Sequence, residues 1–75
     1  MLFRSVSFLY DNHFLSAQAQ GLNRVEIYDA AGQMVDYLEG TDFVSSRINL
    51  PTGTYTAVVF IVNKQASAHK FVVAK

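Results

Sequence analysis

The chain has 75 residues, 51% of them hydrophobic, with six phenylalanines and four tyrosines. That is one domain at most, apolar enough for a folded core but too short to bury more than about 60–65% of its unfolded surface. Six acidic and six basic residues leave no net charge, so the basic surface that nonspecific nucleic-acid binding needs is missing, and zero cysteines exclude a disulfide framework, a thiolate zinc site and a thiol nucleophile.

No apolar run approaches the ~18–20 residues that span a bilayer, and no charged segment followed by a long apolar core marks a signal peptide. The opening MLFRS stands apart, because Leu-Phe-Arg-Ser is what a common sequencing-adapter string encodes. The domain is therefore expected over residues 6–75, as the tail of a longer protein whose own signal peptide lies upstream.

Residues 6–10, VSFLY, read as the first strand. Asp11 and Asn12 tolerate positive φ and read as a two-residue hairpin turn into HFLSAQA. Gly21 breaks the chain. Residues 24–28, RVEIY, alternate with period two and put Val25 and Ile27 on one face. Asp29-Ala30-Ala31-Gly32 fits a type I turn with a left-handed exit, where glycine has no Cβ penalty. QMVDYLE is the next strand, EGTD a loop and SRINL a short strand. Leu50-Pro51-Thr52-Gly53 repeats the turn logic of residues 29–32, so Gly32 and Gly53 are both predicted at positive φ. A long strand follows over 54–62, then Asn63-Lys64 as a second two-residue hairpin, then a last strand over 69–74. About seven short strands with brief connections predict an all-β, antiparallel sandwich or barrel.

The alternation also predicts a core of Val25, Ile27, Tyr55, Ala57, Val59, Phe71 and Val73. The other face of the long strand starts with Thr54 and Thr56 and ends with Val58, Phe60 and Val62. If that face is open, Phe60 and Val72 form an apolar patch for weak self-association; if the strand is central and covered on both sides, they do not. The charges are segregated as well. Residues 1–42 hold all the acids with Arg4 and Arg24, whereas residues 43–75 hold Arg47, Lys64, Lys70 and Lys75. Antiparallel pairing that mixes the halves in space is the favoured reading, and a basic tip offered to a partner is the other.

Groups able to do chemistry are sparse. His13 and His69 are far apart in sequence and lack neighbours at metal-ligand spacing; both read as surface residues. Asp29 is accounted for by its turn and Asp36 as a solvent-facing strand residue. Neither GxSxG, a phosphate-cradling glycine loop nor HExxH occurs. Tyr10, Tyr28, Tyr37 and Tyr55 are the side chains suited to stacking on sugars, but Tyr28 and Tyr55 flank turns and read as packed. The chain is read as non-enzymatic, with no catalytic, cofactor or metal site.

Three blocks in order, GLNRVEIYDAAGQMV, INLPTGTYTAVVF and AHKFVVAK, resemble the C-terminal sorting domain of the type IX (Por) secretion system of Bacteroidetes. The first resembles that family's strand followed by YDxxG[RQK]xV, here Val25, Ile27, Tyr28, Asp29, Gly32 and Val35. The second resembles its Pro-x-Gly-x-Tyr turn, here Pro51, Gly53 and Tyr55, and the third its lysine-bearing strand, here Lys70 to Lys75. The resemblance implies a small immunoglobulin-like β-sandwich that acts as an address on a larger secreted cargo. It implies recognition by the outer-membrane translocon and a sortase, through Gly32, Pro51, Gly53, Tyr55, Lys70 and Lys75. It also implies export through the periplasm to the cell surface or beyond. The alternative is a β-sandwich accessory module, carbohydrate-binding or spacer, of a surface enzyme or adhesin. Its mark would be a cluster of exposed aromatics on one face.

Overall fold

A computed structural model describes residues 6–74. Seven strands follow one another among these residues: β1 Ser7–Asp11, β2 Phe14–Gln18, β3 Leu22–Tyr28, β4 Met34–Glu39, β5 Phe43–Arg47, β6 Gly53–Ile61 and β7 Ser67–Val73. They form a three-stranded sheet, β1-β2-β5, and a four-stranded sheet, β4-β3-β6-β7, antiparallel throughout. This is an immunoglobulin-like order in which the fourth strand pairs with the third. The sandwich, rather than the barrel, is the observed architecture.

Period-two alternation builds the interior. Leu15 and Ala17 of β2, Val25 and Ile27 of β3, Val44 of β5, Tyr55, Ala57 and Val59 of β6, and Phe71 and Val73 of β7 point between the sheets and are buried. All seven predicted core residues lie there. Along the β1–β7 side the filling is aromatic. Tyr10 meets Phe71 with ring centroids 4.8 Å apart, and Phe8 lies 5.1 Å from the His69 ring and 5.7 Å from Phe71. His69 is therefore a half-buried packing residue, and not the surface residue expected.

Several local expectations need correction. The first hairpin turns at Asn12 and His13, both at positive φ (53° and 70°), because Asp11 still pairs with Phe14. The short strand expected over SRINL runs instead over Phe43–Arg47. Residues 62–66 form a longer β6–β7 connection, with Asn63 at φ 61° and Lys64 N donating to Ile61 O at 3.1 Å. Asp36 lies opposite buried Ile27 and so on the core side of edge strand β4, half exposed. Finally, the register sets Val72 opposite Thr54. Phe60 is six positions further along β6, about 20 Å away, so the two share a face but form no common patch.

The connections gather at two poles. At one, Val73 pairs with Gly53, Tyr28 pairs with Thr56, and Ile48 N donates to His13 O at 2.9 Å. The 12–13 turn, the 29–33 hairpin, the 48–52 connection and Ala74 therefore lie together. At the other, Asp42 accepts from Ala19 N at 3.0 Å and donates to Leu22 O at 2.8 Å, while Val62 N donates to Gly21 O at 2.8 Å. Gly40 belongs to this second pole. A Cβ there would stand 2.5 Å from the Phe43 carbonyl oxygen, so only glycine fits.

Candidate functional site

Two of the three motif blocks turn at the first pole. In the 29–33 hairpin, Gly32 N donates to Asp29 O at 3.0 Å and Asp29 N to Gln33 O at 2.9 Å. The Asp29 carboxylate accepts from the Ala31 and Gln33 amides at 3.0 and 2.9 Å, as its place at the head of a type I turn requires. Gly32 takes φ +89° and its α-carbon faces open space. The expectation for Gly32 holds.

The Pro51–Tyr55 corner is built differently. Gly53 is not among the positive-φ residues; it is the first residue of β6 and pairs with Val73. What it supplies is a bare surface. A Cβ on it would sit 3.6–3.8 Å from the Tyr55 ring, which lies across it. The Tyr55 hydroxyl then donates to the Pro51 carbonyl at 2.6 Å. A tyrosine near the start of the sixth strand that bonds back to the backbone a few residues upstream is the tyrosine corner of immunoglobulin-like sandwiches. Here it locks the 48–52 connection onto the sheet, and its ring stacks on Phe71 at 5.7 Å.

The proposed recognition residues thus divide. Gly32, Pro51 and Gly53 stand at one pole, whereas Tyr55 is 6% exposed and acts inside it. Lys70 is exposed on the outer face of β7, opposite Thr56, and points away from Tyr55. Lys75 lies outside the described residues.

Beside the same pole is a cleft of about 210 Å3, lined by Tyr10, Asp11, Asn12, His13, Val72 and Ala74. His13 Nδ1 is buried there without a hydrogen-bond partner. His13 is half-buried and not the surface residue expected, and nothing local in the sequence marks it. Its setting depends on the turn position and on β7.

Charge is partly mixed and partly not. In the three-stranded sheet Asp11 and Arg47 flank Phe14 from the two sides. In the four-stranded sheet Arg24 bonds Glu26 at 2.8 Å and Glu39 at 2.9 Å and lies 4.2 Å over the Tyr37 ring. The Tyr28 hydroxyl donates to Glu26 at 2.5 Å. That bond, then the Arg24 bond, holds the Glu26 pKa below the usual carboxylate value. The bond to Glu26, then burial, raises the Tyr28 pKa. Both glutamates of this network share the single Arg24, and neither reaches Lys70, which stands on an acid-free pair of strands. Among the described residues the exposed aromatics do not cluster. Phe14 and Phe43 stand at opposite ends of β2, since Phe43 pairs with Gln18, and Tyr37 is on the other sheet.

Comparison with known proteins adds no relative: no family model, no curated protein and no solved structure matches this chain.

Proposed function

We propose that this domain is a non-catalytic sorting signal of the type IX secretion system, directing a larger cargo across the outer membrane to the cell surface. The observation that carries the reading is the ordered set of three motif blocks, from Val25 to Lys75, that resemble the sorting domain. The geometry is compatible with an address. Two blocks turn at one pole, held by an Asp-capped hairpin and a tyrosine corner, and the third forms the adjoining edge strand with Lys70 outward. Rigid backbone turns and an exposed strand recognise a partner without chemistry. The proposed partners are the outer-membrane translocon and its sortase, and the proposed route is periplasm to surface. The accessory-module reading calls for an aromatic cluster, and among the described residues the exposed aromatics stand apart.

The test is a fusion of residues 6–75 behind a signal peptide and a folded reporter, in a type IX-competent Bacteroidetes strain. The reporter should reach the medium or surface, and should stay periplasmic in a translocon mutant. Lys70→Ala with Lys75→Ala should lower export with little change in stability, because exposed charges contribute roughly 0–1 kcal/mol. Equal export by a fusion lacking residues 21–75 would overturn the proposal.

A further inference from the structure

Among the described residues, both sheets end in strands whose outer N–H and C=O groups face no neighbouring strand, and such edges pair with other chains unless something blocks them. Three edges carry a block. β4 sets Asp36 on its core side, and its pairing with β3 shifts register between Ile27 and Tyr28. β1 and β5 are only five residues each and carry Asp11 and Arg47. The β7 edge is different. It is seven residues long, contains neither proline nor glycine, and keeps unbroken register with β6 from Ser67 to Val73. Its outward side chains are Ala68, Lys70 and Val72, the last 63% exposed.

Lys70 decides what fits this edge. A second copy pairing β7 with β7 about Lys70 would set two ammonium groups directly opposite, which is destabilising. No acid stands on β5, β6 or β7, and both ion pairs among the described residues belong to Arg24. Lys70 is thus a lone positive charge in the middle of an open edge. The strand also runs into the cleft at Val72 and Ala74, where His13 Nδ1 has no partner. An unsatisfied buried polar atom is rare enough to need a cause.

We propose that the free edge of β7 is a strand-addition site for an extended segment of a partner protein. That segment bears a carboxylate opposite Lys70 and small or β-branched side chains on either side, and its end enters the His13 cleft. Main-chain hydrogen bonds supply affinity in this mode, and the charge supplies selection. The inference rests on the edge and not on the sorting reading, so its test uses the purified chain and no export.

The probe is a blocked seven-residue peptide alternating threonine and valine around a central glutamate, titrated into isotope-labelled protein and followed by amide shifts and hydrogen exchange. Shifts and slowed exchange are expected along Ser67–Val73 and not along β4. A peptide with central lysine should bind about fivefold or more weakly. Lys70→Glu should reverse that order, and Lys70→Gln should abolish it. Of two peptides N-methylated at alternate residues, one should lose binding and the other keep it, because only one set of amides faces β7. Absence of binding by the glutamate peptide, equal loss for both methylated peptides, or β7 protection that grows with protein concentration alone would each overturn the proposal.

Discussion

The two glycine turns of the motif pole read alike in sequence and work by different physics. Asp29-Ala30-Ala31-Gly32 is a local device. The aspartate caps its own turn with two amide bonds, and the glycine supplies a left-handed φ that other residues reach only at a cost. Pro51-Thr52-Gly53 is a tertiary device. Its glycine has ordinary strand geometry, pairs with Val73, and clears the ground for an aromatic ring that reaches back to Pro51. The same residue type is thus kept for torsion in one turn and for contact in the other.

Substitutions separate the two devices. Tyr55→Ala should have the largest effect, about 3–5 kcal/mol, because it removes a buried ring that bridges the corner, β6 and Phe71. Chemical denaturation would show this as a large drop in midpoint, and a loss under about 1 kcal/mol would mean that the ring does not pin the corner. Tyr55→Phe keeps the packing and removes only the bond to Pro51. It should cost about 1–2 kcal/mol, the range for a lost bond that strands its partner. An unchanged midpoint there would assign the corner to packing alone.

Gly32→Ala should cost about 1 kcal/mol from backbone strain alone, since the new methyl meets nothing within 4 Å. Gly32→Asn should cost less, because asparagine tolerates the left-handed region; equal stability for alanine and glycine at this site would contradict the φ argument. The smallest effect belongs to Gly53→Ala. Its Cβ would make ordinary contacts with the Tyr55 ring, so the change should stay within about 0.5 kcal/mol. A penalty as large as that at Gly32 would erase the distinction between the turns.

The legible part of the fold was the part governed by local periodicity. Val25 and Ile27, Tyr55, Ala57 and Val59, and Phe71 and Val73 were assigned to the core because side chains alternate strictly along a strand. Asp29 and Gly32 were legible because their turn satisfies itself. The first hairpin was missed by one residue for a definite reason. Turning at Asp11-Asn12 or at Asn12-His13 leaves Phe8, Tyr10 and Leu15 on the same face, so alternation cannot choose between them. The bond from Ile48 N to His13 O, made by a segment distant in sequence, accompanies the second choice. Of the candidate site, the residues were named from motif resemblance, but their division into turn, buried latch and outward charge was not.

Sequence alone determined the class of the fold, seven short strands with one apolar face each, because local alternation and turn chemistry need no knowledge of distant segments. It also determined the hairpin at Gly32. Only the tertiary structure decided which strands stand at edges, that β7 is the unguarded one, that Phe60 and Val72 lie far apart, and that Gly53 serves a ring and not a torsion. Those outcomes depend on register and on pairing between segments far apart in the chain, such as β3 with β6 and β2 with β5, and no local pattern encodes which partner a strand takes.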